Sequence, residues 1–279
     1  MIKLFRRTNL IPKIWTTPPD NIINPDILNL INWKQFHKNN LGVNLGLKDD
    51  QPIYLDIQTA PHILIGGATG SGKSVCINLM IYELLTKNNP NRLELWIADP
   101  KRVDYSIYKG LPHLRRYETE PETIAEMLGE LVKVMGERYR ALDNQGVRKN
   151  IELSKPFPAI VLVFDELASI KNKQAINYMN ELARLGRACD IHLIIATQRP
   201  DRTVIDGQLK ANCPTVLAFR LKSVTDSRVL LDRKGAELLK GMGDGLKFDS
   251  FGNFEHFQGA FVSDEDIQKV VNWWIEQDS

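Results

Sequence analysis

A glycine-rich segment, flanked by an apolar run and a helical pattern, constrains the fold of this chain more than any other feature. Residues 67–74 read Gly-Ala-Thr-Gly-Ser-Gly-Lys-Ser, which fits the pattern G-x-x-x-x-G-K-[ST]. The largely apolar run 62–66 precedes it, and the helical pattern 71–86 follows and stops at Asn88-Asn89-Pro90. Glycines let the backbone curl so that its N–H groups converge, and the helix N-terminus adds a positive dipole end. The sequence therefore predicts a phosphate-binding loop between a strand and a helix.

The positions of this segment have separate expected roles in binding ATP and Mg²⁺. Lys73 is expected to place its ammonium group at the β- and γ-phosphates, and Ser74 to offer its hydroxyl to Mg²⁺. Because both flanks suit a phosphate loop, we favour this interpretation over a glycine-rich turn without a ligand. The residues predicted to bind the nucleotide are Gly67, Ala68, Thr69, Gly70, Ser71, Gly72, Lys73, Ser74 and Val75.

Short apolar runs alternate with amphipathic stretches along most of the chain, and a hairpin is predicted over 41–57. The runs are apolar at nearly every position, as is typical of parallel strands covered on both faces. They span residues 62–66, 93–98, 159–164, 191–196 and 215–219, and the helical patterns are 71–86, a long one that opens at Pro121, and 176–186. This alternation predicts one large α/β domain with a central, mainly parallel sheet flanked by helices. The extra strand at 93–98 favours the RecA-like class of P-loop NTPases, in which a strand is inserted between the phosphate loop and an acidic strand.

The acidic strand is the run 160–164, which ends in Asp165 and Glu166. A buried strand that releases two carboxylates at its tip places them at the ligand-binding edge of the sheet. Asp165 is then expected to hold the Mg²⁺ shell, and Glu166 to accept a proton from the attacking water. Without the phosphate loop these would read as ordinary solvated acids.

The run 191–196 continues into Thr197-Gln198, which predicts a polar sensor of the γ-phosphate in Gln198. Arg184 and Arg187 precede this run, on a flank from which their own phosphate is hard to reach. In a ring, an arginine at that place reaches the nucleotide of the neighbouring subunit. For Arg184 we favour a plain surface role.

Composition narrows the classes of protein and the kinds of site that the sequence allows. Lys and Arg number 36 against 34 Asp and Glu, so a DNA-binding chain would have to concentrate its basic groups on one surface. The three cysteines are far apart, which disfavours a disulfide framework or a zinc site and fits a cytoplasmic location. Cys76 and Cys189 are expected to be core residues.

No run approaches the roughly 20 apolar residues of a membrane span. The basic stretch Met1–Trp15 is interpreted as a solvated tail, with a contact to DNA, lipid or a partner as the alternative.

Taken together, the motifs over residues 41–274 resemble the FtsK/SpoIIIE family of DNA translocases. The phosphate loop and the acidic strand are joined by further stretches with the family's order and spacing. These are Asp99-Pro100-Lys101, residues 191–200, Asp226-Ser227-Arg228, Gly235-Ala236-Glu237, Gly241-Met242-Gly243-Asp244 and residues 259–264. So many ordered motifs are far more specific than a phosphate loop alone.

The resemblance implies a motor that forms hexameric rings around double-stranded DNA and hydrolyses ATP at its subunit interfaces. It makes Arg187 the arginine that acts in trans. It also implies that Arg199, Lys222 and Arg228 contact the DNA backbone in the pore. The family often has a basic residue where this chain has Val224, so Lys222 is expected to compensate.

The same resemblance divides the chain into an N-terminal extension, residues 1–40, and a motor domain, residues 41–279. One interpretation of the extension is a shortened remnant of the family's smaller ring-forming domain. The family's membrane anchor and winged-helix module are not visible, so the chain is expected to be a stripped motor core. Such a core is either excised by design or encoded in this form by a plasmid, phage or integrative element, and a membrane or transfer-machinery partner stays open.

Two other functions stay open at this stage. Related rings serve conjugation as coupling proteins or secrete proteins in type VII systems, and they move single-stranded DNA or protein. A nucleotide-gated switch module is the third class, although a switch does not need the poised base that Glu166 would supply.

Overall fold

We describe the fold from a computed structural model, in which residues 41–202, 205–249 and 252–278 are described. The sequence also predicts a short helix over residues 27–36. This segment, the basic stretch Met1–Trp15 and the rest of the N-terminal extension lie outside the described residues. The division of the chain at residue 40 therefore stays a prediction.

The described residues build one ten-stranded sheet in the order β2-β1-β10-β9-β8-β3-β7-β6-β4-β5. The strands are β1 Gly42–Lys48, β2 Gln51–Asp56, β3 His62–Gly66, β4 Leu93–Ala98, β5 Leu114–Glu118, β6 Ala159–Phe164, β7 Ile191–Thr197, β8 Thr215–Phe219, β9 Asp244–Phe248 and β10 Phe254–Gly259. Strands β3 to β8 pair in parallel, and β9, β10, β1 and β2 extend the sheet in antiparallel pairs. The predicted mainly parallel α/β sheet is confirmed, together with the five predicted runs and the hairpin.

Helices cover both faces of the sheet. They are α1 Lys73–Lys87, α2 Pro121–Gln145, α3 Lys173–Leu185, α4 Gly207–Asn212, α5 Val224–Leu231 and α6 Asp264–Asp278. Successive residues of a strand point to opposite faces, so Ile63 and Ile65 of β3 pack with α1 and α6, whereas Leu64 packs with α2, α3 and α5. Two apolar cores, one on each face, therefore hold the carboxyl ends of β3, β6, β7 and β8 at one common edge.

The strand inserted between the phosphate loop and the acidic strand is not β4, as the sequence predicts, but β7. In space β7 lies between β3 and β6, whereas β4 lies on the far side of β6 and is followed by β5. The class assignment stands, but the strand inserted between phosphate loop and acidic strand is the one that ends in Thr197. This order brings Thr197 and Gln198 between the two halves of the site.

Several smaller expectations are settled by burial. Cys76 and Cys189 are buried core residues, as predicted, and so is Cys213. Burial raises the pKa of the Cys76 thiol to about 12, which keeps it protonated and inert at neutral pH.

Over the described ranges, none of the helices combines the length and the apolar character that crossing a membrane requires.

Helix α6 is anchored by Trp274, which is fully buried, donates from Nε1 to the Leu85 carbonyl at 3.0 Å and stacks edge-on against His113. Replacing Trp274 by alanine is expected to lower the free energy of unfolding by about 3–5 kcal/mol, because a large side chain is removed from a packed core. The half-buried neighbour Trp273 is the control, and its replacement by alanine should cost clearly less. Urea unfolding of both variants measures the difference, and equal losses would contradict this role of Trp274.

Candidate nucleotide-binding and catalytic site

The glycine-rich loop connects the carboxyl end of β3 to the first turn of α1. Gly67 donates its N–H to the Thr197 carbonyl at 3.2 Å, and Ala68 donates to the Arg220 carbonyl at 2.8 Å, so the ends of β7 and β8 hold the start of the loop. The first N–H groups of a helix have no intrahelical acceptor. The amides available to a phosphate group therefore lie further along, at the start of α1 around Lys73 and Ser74, rather than at Gly67 and Ala68.

A second glycine-rich segment, residues 241–244, contacts the backbone of the phosphate loop. Gly243 donates its N–H to the Ser71 carbonyl at 2.9 Å. Gly72 has a φ of 107°, and a Cβ at this position would lie 2.5 Å from the Gly243 nitrogen. The motif Gly241-Met242-Gly243-Asp244 thus has a structural reason, since only glycine allows the two backbones to approach so closely.

Replacing Gly72 by alanine is expected to weaken ATP binding about tenfold or more. The left-handed backbone and the contact with Gly243 together cost about 1–3 kcal/mol, and 1.4 kcal/mol corresponds to tenfold in affinity. Gly136 in α2 is the matched control, because nothing lies within 4 Å of a Cβ there. Gly136→Ala should leave ATP binding unchanged and stabilise α2 by about 0.5–1 kcal/mol. Isothermal titration of both variants with ATP makes the comparison, and wild-type affinity in Gly72→Ala would contradict it.

Lys73 and Asp165 form a buried ion pair at the centre of the site. The Lys73 ammonium contacts one Asp165 oxygen directly, and both side chains are almost fully buried. Lys101 approaches the other Asp165 oxygen, at 3.5 Å. The structure therefore brings the predicted phosphate-binding lysine and the predicted Mg²⁺ carboxylate together.

Glu166 follows in a left-handed conformation, with a φ of 72°. Such a backbone in a residue other than glycine is costly and is found preferentially at functional sites. Its Oε1 accepts hydrogen bonds from the Thr197 hydroxyl at 2.9 Å and from the Gln198 N–H at 3.2 Å, and its Oε2 lies 3.0 Å from the Lys101 ammonium. The carboxylate predicted to act as base is thus held by β7 on one side and by the chain after β4 on the other.

The predicted sensor lies beside the phosphate loop. Thr69 donates its hydroxyl to the Gln198 side-chain oxygen at 3.3 Å. The same Gln198 binds Glu166 through its backbone N–H, so this residue links the loop with the acidic strand. Its predicted role as a γ-phosphate sensor remains a prediction, and its position is the one such a role needs.

Ser74 hydrogen-bonds to a carboxylate that sequence reasoning missed. Its hydroxyl donates to Asp104 Oδ2 at 2.8 Å rather than to Asp165. Lys101 likewise has no role that the sequence predicts, although Asp99-Pro100-Lys101 is one of the motifs that carry the family resemblance. Serine and aspartate oxygens are the donors that Mg²⁺ prefers, and Mg²⁺ is usually held by one or two carboxylates together with substrate phosphates. The residues present therefore fit this ion.

The remaining predicted residues lie away from this centre. Arg187 is exposed in the turn Gly186–Cys189 before β7, at the opposite edge of the sheet from the phosphate loop. Arg199 and Lys222 are exposed just beyond the carboxyl ends of β7 and β8, at the same edge as the loop, and Arg228 is exposed on α5. The structure thus separates Arg187 from the nucleotide site of its own chain and leaves the three other basic side chains open to solvent.

Comparison with known proteins agrees with this geometry. Residues 26–155 match the sequence profile of the FtsK/SpoIIIE family, and this range contains the phosphate loop and the Asp99-Pro100-Lys101 turn. The DNA translocase FtsK of Caldanaerobacter subterraneus subsp. tengcongensis is 40% identical over 274 residues, which cover 92% of this chain and 38% of that protein. This chain carries a domain of the FtsK/SpoIIIE family. It spans between 32% and 38% of the length of the first curated FtsK relatives that it matches.

Solved structures show the same fold. The pCW3 conjugation coupling protein TcpA, in a monomer form with ATPγS, superimposes with a TM-score of 0.74 at 25% identity and covers 95% of this chain and 75% of its own. The cytoplasmic domain of the Thermomonospora curvata type VII secretion ATPase EccC superimposes with a TM-score of 0.75 at 26% identity, over 85% of this chain and 31% of its own. Family and fold together place this chain among the P-loop ATPases.

Proposed function

We propose that this FtsK/SpoIIIE chain is an ATP-driven motor that moves double-stranded DNA and acts as one subunit of a ring. ATP with Mg²⁺ is the fuel. Lys73 and the first turn of α1 bind the phosphates, Ser74 and Asp165 hold the metal ion that offsets charge on the phosphates, and Glu166 accepts the proton of the attacking water. The FtsK relatives, which are DNA translocases by name, support DNA as the cargo.

One observation carries the proposal, namely that Glu166 and the exposed Arg199 are bound to the same turn. The Thr197 hydroxyl lies 2.9 Å from Glu166 Oε1 and 3.0 Å from the Arg199 carbonyl, and Gln198 between them donates its N–H to Glu166. A hydroxyl has one proton, so it can donate to only one of these two oxygens at a time. A cargo that pulls on Arg199 therefore acts on the partners of the catalytic base, which is the coupling a motor needs.

The charge of the exposed groups favours a phosphate backbone as the cargo. Arg199 and Lys222 lie beyond the carboxyl ends of β7 and β8, the two strands that flank β3. No ion pair involves either side chain among the residues described. Contacts to phosphates do not depend on base sequence, which suits a protein that must pass along any DNA. The nearly neutral overall charge makes this local concentration more informative.

Replacing Arg199 and Lys222 by alanine should weaken binding to duplex DNA and lower the slope of log affinity against log salt by about 1 for each lost phosphate contact. The exposed Arg140 on α2 provides the control, because Arg140→Ala removes the same charge far from this edge. Fluorescence anisotropy with a labelled duplex at several salt concentrations gives both quantities. If the slope is unchanged in both Arg199→Ala and Lys222→Ala, these side chains do not contact DNA phosphates, and this part of the proposal is contradicted.

The experiment that tests the function is steady-state ATP hydrolysis without DNA, with long duplex DNA and with single-stranded DNA. The proposal predicts strong stimulation by duplex, a smaller effect of single strands, and loss of stimulation in Arg199→Ala. Equal rates under all three conditions would contradict it.

Transport of single-stranded DNA or of protein is the second candidate. It is favoured by the similarity to a conjugation coupling protein and to a type VII secretion ATPase, both of which cover most of this chain. Stimulation by single-stranded DNA alone, or by neither DNA, would favour this candidate. A nucleotide-gated switch is disfavoured, since Lys73, Asp165 and Glu166 form an intact hydrolytic set.

A further inference from the structure

The turn after β4 lies against the first turn of α1 and carries Asp104. The hydroxyl of Ser74 donates to Asp104 Oδ2 at 2.8 Å, and Asp104 is half-buried. A hydroxyl group has one proton to donate and two lone pairs with which to accept or to bind a cation. Because its proton is directed to Asp104, the lone pairs of Ser74 are turned away from that carboxylate.

Asp165 does not accept the proton of the Ser74 hydroxyl. One of its oxygens contacts the Lys73 ammonium, and the other faces Lys101 at 3.5 Å. The hydroxyl of Ser74 is therefore oriented by Asp104, which follows β4. It is not oriented by the acidic pair that follows β6.

The turn holds Asp104 in a fixed place. Asp99 is fully buried, accepts the Arg102 N–H at 2.9 Å on Oδ1, and accepts the Tyr117 hydroxyl at 2.8 Å on Oδ2. Arg102 adopts a φ of 61°, which turns the chain sharply before Asp104. A side chain on a braced turn loses little further freedom when it orients a neighbour.

The space beside this turn is strongly acidic. Tyr105 is buried, and within the described part of the chain its hydroxyl finds no hydrogen-bond partner. Burial, followed by the charges of Asp165, Asp104 and other nearby groups, raises the pKa of Tyr105 well above its ordinary value. Asp165 and Glu166 contact the ammonium groups of Lys73 and Lys101. Asp99 and Asp104 add two more carboxylates on the adjoining turn, so negative charge is in excess and a divalent cation is favoured there.

From this geometry we infer that Asp104 is a positioning residue for the Mg²⁺ of the nucleotide site and acts through Ser74. It fixes the proton of the Ser74 hydroxyl so that a lone pair is presented to the ion. Groups that orient metal ligands in this way typically contribute about 10–100-fold to metal affinity. The inference concerns the nucleotide site and does not depend on which cargo the motor moves.

The test uses Mn²⁺ as a spectroscopic substitute for Mg²⁺ with the full chain and ADP. Electron paramagnetic resonance titrations give the Mn²⁺ affinity of the ADP complex, and calorimetry in EDTA gives the metal-free ADP affinity. Asp104→Ala is expected to weaken Mn²⁺ binding about tenfold or more while metal-free ADP binding stays unchanged. The exposed Asp143 of α2 is the control, and Asp143→Ala should match the wild type in both measurements.

A double-variant cycle separates action through Ser74 from a direct effect. If Asp104 acts through Ser74, adding Asp104→Ala to Ser74→Ala should lower Mn²⁺ affinity no further. Independent, additive losses would overturn the inference, and so would a wild-type Mn²⁺ affinity in Asp104→Ala. Should the alanine variant fail to fold, Asp104→Leu decides, because leucine keeps about the size of the side chain but has no acceptor for the Ser74 proton. Weakened Mn²⁺ binding is expected, and an unchanged affinity would contradict the role.

Discussion

Replacing Glu166 by glutamine is expected to slow ATP hydrolysis by about 10²–10⁴-fold while ATP still binds. Glutamine keeps the shape and one acceptor oxygen, so the hydrogen bonds from Thr197 and Gln198 can persist. What it loses is the basicity that accepts the proton of the attacking water. Since Lys73 and the first turn of α1 are untouched, the phosphate contacts should remain.

The measurement pairs single-turnover hydrolysis with calorimetric ATP binding. Glu126→Gln in α2 is the matched control, because Glu126 is exposed and its replacement makes the same chemical change on another element. This control should hydrolyse ATP at the wild-type rate. A Glu166→Gln variant that retains more than about a tenth of the wild-type rate would exclude Glu166 as the base, and Asp104 or Asp165 would have to be considered instead.

The second large effect is expected for Arg187, whose replacement by alanine should reduce hydrolysis by about 10³-fold or more in the assembled protein. Arg187 is exposed and lies at the edge of the sheet opposite to the phosphate loop, so it cannot serve the nucleotide of its own chain. In the ring that we propose, this edge would lie against the nucleotide site of the neighbouring subunit. The guanidinium would then stabilise the charge that develops on the γ-phosphate.

The turn that carries Arg187 is braced, as such a role requires. The buried Arg138 donates to the Cys189 carbonyl at 2.7 Å, and Asp190 hydrogen-bonds to His192 at 2.8 Å and to Asn150 at 3.2 Å. Asp190 itself closes the turn with a φ of 58°. A rigid turn holds the arginine outward at little entropic cost.

Action in trans has a distinctive signature. Arg187→Ala and Lys73→Ala should each be inactive alone, yet a mixture should recover activity, because some interfaces combine an intact Arg187 with an intact Lys73. Arg184, three residues earlier and also exposed, is the matched control, and Arg184→Ala should remain active. Inactivity that no mixture relieves would argue against action in trans.

The sequence predicts well that these candidate residues lie close together, because they follow the carboxyl ends of parallel strands. The glycine-rich loop, the pair Asp165-Glu166 and the pair Thr197-Gln198 each directly follow an apolar run, and parallel strands deliver their ends to one edge. Their proximity therefore follows from the alternation of strands and helices. No knowledge of individual contacts is required.

Other contacts depend on geometry that periodicity does not contain. Lys101 reaches Glu166, and Asp104 reaches Ser74, only because β4 lies next to β6 and because Arg102 adopts a left-handed conformation. Strand β5 also escaped prediction, since its residues 114–118 are mostly polar, with Arg116 paired to Glu118 and Glu130. The support that Gly243 gives to Gly72 joins residues far apart in the chain and could not be derived from spacing.

Displacement of a third strand from a DNA triplex tests the central claim most directly. A labelled triplex-forming oligonucleotide is bound near one end of a long duplex, and the full chain is added with ATP and Mg²⁺. We expect ATP-dependent release that grows with protein concentration and is absent from Glu166→Gln and from reactions with a non-hydrolysable ATP analogue. If duplex DNA stimulates hydrolysis but the oligonucleotide stays bound, hydrolysis is not coupled to movement along duplex DNA, and the translocase proposal is contradicted.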